Sequence, residues 1–352
     1  MPHTTLRHVP SRGIWGRGAP QPYRRDEETP STAEMSWIEI TIAICTRNRS
    51  ALLDLTLSSL LQMSVPPRTN WEVLVVDNDS TDDTDSVISK YIGRLRIRSV
   101  VETRLGAAFA RNRAVEAATG DYILWTDDDA EVHSNWLSAY VDAFIRHPEG
   151  VVFGGPIRLK FEGTPPAWVN RVSHVIRGAY AELDHGNEEF ELDPTPYFAP
   201  WGPNYAVRLA EHRQFRYDTR LGPGPKGTRL GDETDLLHRI LKAGHRGFWI
   251  PTPVVEHFVP KSYQTISHLR KYFESRGRTQ ALLEGECNDV PKILGVPRWV
   301  WRGAITGEIV YYLKRCYGSP EVWGNQLAEA STLKGWLKAG LASGIPLGIF
   351  RK

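Results

Sequence analysis

Three consecutive aspartates, Asp127, Asp128 and Asp129, follow an apolar run typical of a buried strand, in the stretch YILWTDDDAEV. Crowded carboxylate oxygens are the ligands that hard cations such as Mg²⁺ or Mn²⁺ prefer. Because side chains alternate along an extended chain, Asp127 and Asp129 can face one side and Asp128 the other. Mg²⁺ is usually held by one or two carboxylates together with substrate phosphates, so the pattern predicts a cation site that receives a diphosphate. These residues alone leave a second interpretation open, in which they cap a helix near Ser134.

The elements around this stretch alternate between strand and helix patterns. WIEITIAICT has isoleucine at every second position, and WEVLVVDN, LRIRSVVE, YILWTDDD and GVVFGGPIRL are further strand-like runs separated by helical ones. This order predicts an α/β fold with a mostly parallel sheet covered by helices on both faces. Ligands bind beyond the carboxyl ends of such strands, where Thr46, Arg49, Asp77 and the aspartates follow three of them.

Farther along the chain, RLGDETDLLHRILKAG predicts a helix that ends at Gly244 and carries Asp232 and Glu233 near its start. FWIPTPVVEHF predicts a strand with His257 at its end, despite its prolines. From about Ser262 the pattern is helical and rich in aromatic residues. We therefore expect three regions: a disordered segment 1–36, an α/β domain 37–261 and a helical region 262–352. Met35, just before the first strand, is a candidate translation start.

Composition limits the partners. The 352 residues carry a formal net charge of only +2, which argues against nucleic-acid binding. From Lys261 onward there are 14 Lys and Arg against 7 Asp and Glu, or +7, so the basic, aromatic C-terminal region could contact anionic lipid. Three scattered cysteines, no apolar run of membrane-spanning length and no signal pattern predict a cytoplasmic protein, in peripheral contact with the membrane at most.

Five ordered motifs between Ile40 and about Glu284 resemble the family-2 glycosyltransferases, inverting enzymes with the GT-A fold. The motifs are ICTRNRSALLDLTLSSLLQ, EVLVVDNDSTDDT, RLGAAFARNRAVEAATGDYILWTDDD, WGPNYAVR and GDETDLLHRILKAGHRGFWIPTPVVEH. The third contains the Asp-x-Asp element of that family and the last its acid pair and late histidine. The resemblance covers about two thirds of the chain.

The resemblance implies a role for each matching residue. Asp77 would bind the base of a UDP- or dTDP-type donor, with Thr46 and Arg49 lining the same pocket. Other donor contacts would come from Arg111, Asp127 and Asp128. Asp127, Asp129 and His257 would hold Mn²⁺ or Mg²⁺. The segment with Trp201 and Asn204 would form a donor or acceptor loop.

The acid pair departs from the family pattern. The family usually has Glu and then Asp, with the second acid as the catalytic base, whereas this chain has Asp232 and then Glu233. Single displacement needs a carboxylate that takes the acceptor's proton, and by position this is Glu233, with Asp232 as the alternative. Ordinary helix N-terminal acids are a third interpretation.

The function expected from the resemblance is metal-dependent, inverting transfer of one sugar from a nucleotide diphosphate sugar to a hydroxyl of a glycan or lipid-linked acceptor. Such a reaction belongs to polysaccharide or glycoconjugate assembly, including that of the cell envelope. Two alternatives remain at this point: a sugar-phosphate nucleotidyltransferase, which would release pyrophosphate, and a non-catalytic sugar-nucleotide binding protein.

Overall fold

The computed structural model describes residues 37–194, 199–225, 230–284 and 290–343. The expected disordered segment 1–36, with the candidate start Met35, lies outside the described residues. The strands of the described part are β1 (Ile38–Thr46), β2 (Thr69–Asp77), β3 (Ile97–Val101), β4 (Tyr122–Trp125), β5 (Ala130–Val132), β6 (Gly150–Gly154), β7 (Ile157–Phe161), β8 (Phe190–Glu191), β9 (Tyr205–Arg208), β10 (Arg246–Trp249), β11 (Val255–Val259), β12 (Lys292–Ile293) and β13 (Val296–Pro297).

Helices alternate with these strands and then follow them. They are α1 (Ser50–Leu60), α2 (Thr84–Tyr91), α3 (Ala107–Ala117), α4 (Trp136–Arg146), α5 (His174–Arg177), α6 (Leu209–His212), α7 (Asp232–Lys242), α8 (Ile266–Glu284), α9 (Arg298–Tyr317) and α10 (Pro320–Ser343). The last three are the longest, so the expected helical character of the C-terminal region is confirmed for the described residues.

An eight-stranded sheet forms the centre of the α/β part, in the order β3-β2-β1-β4-β9-β6-β10-β8. All strands except β9 and β8 run in one direction. Val73, Leu74, Val75 and Val76 are consecutive in β2 and all fully buried, so both faces of the sheet are covered. The expected α/β fold with a mostly parallel sheet is confirmed.

Two of the expected strands are each divided in the structure. GVVFGGPIRL forms β6 in the large sheet and β7 in a second sheet, and FWIPTPVVEHF forms β10 and β11 in the same two sheets. Prolines lie at both breaks, where a residue without an N–H cannot continue the ladder. Gly155 lies at the first break, and an added Cβ there would be 2.4 Å from the Pro253 carbonyl oxygen. The two breaks therefore pack against each other.

The second sheet has the order β5-β11-β7, with β5 antiparallel to β11. Its register pairs Ala130 with His257, and the Phe258 N–H donates to the Asp129 carbonyl at 2.8 Å. Because β5 directly follows the three aspartates, this short strand fixes the backbone after them beside β11.

The C-terminal helices share a hydrophobic core with earlier parts of the chain. This core contains Val169, Val172 and Ile176 together with Val259 and residues of α8, α9 and α10. An added Cβ at Gly277 of α8 would lie 1.9 Å from the Thr332 carbonyl oxygen of α10. Glycine thus allows close packing of these two helices. The boundary between 37–261 and 262–352 stays a prediction.

None of the helices in the described ranges combines the length and apolar character needed to cross a bilayer.

Candidate functional site

Asp128 is held by the loop that follows β1. The Thr46 hydroxyl donates to Asp128 Oδ2 at 2.7 Å, and Arg49 Nη1 donates to Asp128 Oδ1 at 2.6 Å. The Asp128 side chain is only 4% exposed, so these two contacts occupy it. Thr46, Arg49 and Asp128, predicted to lie at one sheet edge, are brought together. In this geometry Asp128 positions Arg49 and has little surface left for a ligand.

Asp129 shares Arg49 and also contacts the second sheet. Arg49 Nη2 donates to Asp129 Oδ2, and His257 Nε2 lies 3.3 Å from Asp129 Oδ1. The β5–β11 register explains this proximity, since it places His257 opposite the residue after Asp129. His257 thus lies beside the Asp-x-Asp stretch, as the sequence predicted.

Asp127 faces a different cation. Arg111 Nη2 lies 3.5 Å from Asp127 Oδ1, while Arg111 Nη1 donates to Asp232 and lies 3.5 Å from Glu233 Oε2. One guanidinium on α3 therefore connects the aspartates after β4 with the acid pair that begins α7. This contact brings together two groups separated by more than a hundred residues.

Aromatic side chains pack beside the Arg111 guanidinium. This guanidinium lies 5.8 Å from the Tyr217 ring, and the Tyr217 hydroxyl is 2.5 Å from that of Tyr205. Asn112 fixes Tyr217 by accepting from its N–H at 2.9 Å and donating to its carbonyl at 3.0 Å. Sequence reasoning missed Tyr217 because it lies in an irregular loop without periodicity. The neighbour of Arg111 in the third sequence motif, Asn112, was the signal that could have pointed to Tyr217.

The two acids of α7 have different environments. The Asp232 side chain is 3% exposed and bonded to Arg111, whereas that of Glu233 is 17% exposed. Burial and the adjacent Asp232 carboxylate raise the pKa of Glu233 to about 8, against the opposing effect of Arg111. Glu233 is therefore the more accessible of the pair, and its carboxylate is more basic than that of an ordinary glutamate.

Asp128 and Asp129 differ in the pKa of their carboxyl groups. Burial acts on both, but their charged neighbours differ. Burial raises the pKa of Asp128 to about 7, although Arg49 acts in the other direction. Burial acts on Asp129 too, but His257 and Arg49 outweigh it and hold the pKa of this carboxyl below its usual range. Asp129 is thus the aspartate of this pair that stays anionic most readily.

Asp77 ends β2 directly beside Thr46, its Cα partner in the parallel ladder. Its Oδ1 accepts from the Ser80 N–H at 2.9 Å. The neighbouring Asn78, which sequence reasoning did not select, is buried and donates to the Glu102 and Arg104 carbonyls at 2.7 and 2.9 Å. Its Oδ1 also accepts from the Gly106 N–H at 2.8 Å. Asn78 therefore fixes the start of α3, the helix that carries Arg111.

The two residues Trp201 and Asn204 have different positions relative to the site. An added Cβ at Gly202 would lie 3.1 Å from Arg111 Nη2 and 3.2 Å from Asp127 Oδ2, so the chain next to Trp201 borders the site. Asn204 is fully buried beneath it. Its side chain accepts from Trp136 Nε1 and from the Tyr140 hydroxyl, both at 2.8 Å.

Asn204 Nδ2 also donates to the carbonyls of Pro156 and Pro253, at 2.9 and 2.6 Å. All four of its hydrogen-bonding positions are occupied, because an amide has two donors and two acceptor lone pairs. A direct contact between Asn204 and a ligand, as the sequence suggested, does not agree with this geometry. Asn204 instead joins α4 to the two strand breaks.

The helix-cap interpretation of the aspartates is not supported. Helix α4 begins at Trp136 without a side-chain cap hydrogen bond. The carboxylates of Asp128 and Asp129 point instead to Thr46, Arg49 and His257.

The donor set fits a divalent cation that is completed by substrate oxygens. Asp129 and His257 are adjacent, and the Asp127 side chain is 34% exposed nearby in the sequence. Among the described residues no three acidic, histidine or cysteine side chains already surround one point. The protein would thus supply only part of a coordination shell, as is usual for Mg²⁺ bound with phosphates.

Comparison with known proteins places this geometry in context. Residues 41–200 match the family model described as "Glycosyl transferase family 2". A similar protein is the succinoglycan biosynthesis protein ExoM of Rhizobium meliloti, 30% identical over 38% of this chain and 43% of its own length. Another is the putative teichuronic acid biosynthesis glycosyltransferase TuaG of Bacillus subtilis, 34% identical over 31% of this chain and 43% of its length.

The chain spans less than half the length of these relatives. A solved structure of the mannosyltransferase PcManGT from Pyrobaculum calidifontis, in complex with GDP-Man and Mn²⁺, is 23% identical with a TM-score of 0.45, over 67% of this chain and 63% of that one. The family match begins within β1 and ends before β9, so it includes the three aspartates and Arg111. Residues 41–200 are therefore similar to the glycosyltransferases of family 2.

Proposed function

We propose that the protein is a metal-dependent, inverting glycosyltransferase. It transfers one sugar from a nucleotide diphosphate sugar to a hydroxyl of a glycan or lipid-linked acceptor. The observation that carries this proposal is the position of Arg111, which contacts both Asp127 and the acids Asp232 and Glu233. In this proposal the cation site beside Asp127 holds the diphosphate and Glu233 acts as general base for the acceptor, and both groups act on the same sugar.

The donor occupies the carboxyl ends of β1, β2 and β4 in this proposal. The Asp77 carboxylate accepts a hydrogen bond from an N–H of the base, and both uracil and thymine have such an N–H. Asp127, Asp129 and His257 would hold Mn²⁺ or Mg²⁺, which neutralises charge on the leaving diphosphate. Arg111 is close to Asp127 and adds a fixed positive charge on the side of the departing phosphate oxygens.

Glu233 acts on the acceptor. The acceptor oxygen attacks the anomeric carbon while the bond to the diphosphate oxygen breaks, and the Glu233 carboxylate takes the hydroxyl proton. Its 17% exposed side chain and raised pKa favour it over Asp232, which is bonded to Arg111. Asp232 then has a positioning role, since it orients Arg111.

The C-terminal region completes the proposal. Its excess of basic residues suggests peripheral contact with a membrane, where a lipid-linked acceptor would be found. Helix α8 also borders the site, because the Leu230 N–H, two residues before Asp232, donates to Thr279 Oγ1 at 2.8 Å.

The product of turnover tests this function. The protein is incubated with a panel of nucleotide diphosphate sugars and Mn²⁺, with and without simple sugar acceptors, and both products are quantified. We expect free nucleoside diphosphate, from slow hydrolysis without acceptor and faster release with one. Release of pyrophosphate would indicate a nucleotidyltransferase instead. Donor binding detected by thermal shift, without any turnover, would indicate a sugar-nucleotide binding protein.

A further inference from the structure

The inner face of helix α9 is packed against the rest of the protein. Val300, Ala304, Gly307 and Tyr311 are its buried residues and recur every three or four positions. An added Cβ at Gly307 would lie 3.1 Å from the Ala330 side chain of α10. The inner face of α9 is thus fixed against the other C-terminal helices.

The outer face of α9 is apolar but uncovered in the described residues. Ile305, Ile309, Tyr312 and Leu313 are 57–60% exposed and recur at helical spacing on the side opposite the buried residues. Trp299 near the start of the helix and Tyr317 at its end are exposed as well. We call these six residues the outer face. An exposed apolar stripe of this kind marks an interaction surface.

Basic residues lie at both ends of α9. Arg298 and Arg302 lie in the first turns of α9, and Lys314 and Arg315 in its last turn. None of the carboxylates in the described ranges forms an ion pair with any of these four. Lys314 and Arg315 bond instead to the neutral groups of Gln326 and Tyr311.

The single acid of α9 does not offset this charge. Glu308 is already neutralised by Arg270 of α8. The outer face therefore presents apolar side chains beside the positive charge of Arg298 and Arg302, with aromatic residues toward both ends.

We propose that the outer face of α9 lies on a lipid bilayer that contains anionic headgroups. Aliphatic residues enter the boundary of the acyl chains, Trp299 and Tyr317 occupy the headgroup level, and Arg298 and Arg302 contact lipid phosphates. A second copy of this chain fits less well as occupant. In a pair of α9 helices in either orientation, Arg298 and Arg302 would meet no free acid of α9, since Glu308 already pairs with Arg270 in each copy.

This inference deepens the peripheral membrane contact of the proposed function but does not rest on its chemistry. Lipid binding by α9 requires neither the aspartates nor Glu233. The two claims can therefore fail separately.

The test is co-sedimentation of the full chain with phosphatidylcholine vesicles, with and without phosphatidylglycerol. We expect binding that requires the anionic lipid and weakens with salt. The double variant Ile309→Asn with Leu313→Asn should bind at least tenfold more weakly. Arg298→Gln with Arg302→Gln should lose roughly fivefold per charge, given about 1 kcal/mol for each basic residue near such a surface.

The matched control is Ile92→Asn, which removes an equally exposed isoleucine after α2 and should bind like the wild type. Circular dichroism and thermal unfolding verify that each variant folds, and nucleotide-sugar hydrolysis in solution should be the same for all of them. The inference is overturned when the wild type ignores anionic vesicles or when the α9 variants bind as well as the control. It is also overturned when the outer face supports only a dimer, detected by light scattering and lost in Ile309→Asn with Leu313→Asn.

Discussion

At the scale of single residues, Arg111 determines how the site is organised. Its side chain is 11% exposed and contacts three carboxylates, so it compensates negative charge that would otherwise be costly to bury. Arg49 does the same for Asp128 and Asp129. Two arginines thus allow five acids to approach one another.

The first prediction concerns pH. Because Glu233 must be deprotonated to accept a proton and its pKa is about 8, kcat/KM should rise with pH and level off above about pH 8. Below that value the slope should approach tenfold per pH unit. The profile of nucleoside diphosphate release measures this. The control Asp235→Asn, on the same helix, should keep the profile, whereas a wild-type rate constant that is flat between pH 6 and about 9 would exclude Glu233 as the base.

The second prediction concerns Arg111. Arg111→Met keeps most of the side-chain volume but leaves Asp232, Asp127 and Glu233 without their cation, which should cost about 3–5 kcal/mol of unfolding free energy. Urea denaturation provides the measurement. Arg113→Met is the matched control on α3, since its 3.7 Å pair with Glu116 is exposed and should contribute less than about 1 kcal/mol. Equal stabilities of the two variants would contradict the role given to Arg111.

At the scale of elements, the sequence was sufficient for much of the arrangement. The isoleucines at every second position of β1 and the apolar run in β2 predicted parallel strands. Because Thr46, Asp77 and Asp128 follow the carboxyl ends of such strands, they were expected to lie close together at one edge of the sheet. The breaks between β6 and β7 and between β10 and β11 were not predicted, because an apolar run with an internal proline can continue as an edge strand or turn away. Tertiary packing of Gly155 on Pro253 decides between them.

Asn204 illustrates the part that sequence could not supply. A motif match identifies an asparagine but does not tell whether its amide faces a ligand or the core. Here the choice depends on Trp136 and Tyr140 of α4 and on two carbonyls from distant strand breaks. Those partners come from three separate segments, and only the folded chain brings them together.

The third prediction follows from this network. Asn204→Ala removes the side-chain partner of the Trp136 N–H, the Tyr140 hydroxyl and the Pro253 carbonyl, while the Pro156 carbonyl keeps the Val255 N–H, and should destabilise the protein by about 2–5 kcal/mol. Donor affinity, measured well below the unfolding temperature, should change by no more than a few-fold. Asn70→Ala, which removes hydrogen bonds at the surface, serves as control. A large loss of donor affinity with unchanged thermal stability would restore a direct ligand contact for Asn204.

At the scale of the whole molecule, the C-terminal helices stabilise the site as well as the fold. Helix α8 packs closely on α10 through Gly277 and Gly335, and it holds the residues before α7 through Thr279. The acids Asp232 and Glu233 therefore depend on the packing of helices that follow them in the chain.

The fourth prediction tests this dependence. In Gly277→Ala the new methyl group would meet a backbone carbonyl that cannot rotate away, so we expect about 1–3 kcal/mol of destabilisation and reduced turnover. In the control Gly303→Ala the nearest atom is the end of the Leu333 side chain, which can adjust. That variant should lie within about 1 kcal/mol of the wild type. Identical unfolding curves for the two variants would argue against close α8–α10 packing.

We propose that Glu233 takes the proton of the acceptor hydroxyl during sugar transfer, and the variant Glu233→Gln tests this proposal most directly. Turnover of a saturating nucleotide sugar and donor binding by calorimetry are measured on the same preparations of wild type, Glu233→Gln and Asp235→Asn. We expect Glu233→Gln to bind the donor within a few-fold of the wild type while turnover falls by roughly 10²–10⁴, with both quantities preserved in Asp235→Asn. Turnover at the wild-type rate in Glu233→Gln would contradict the account.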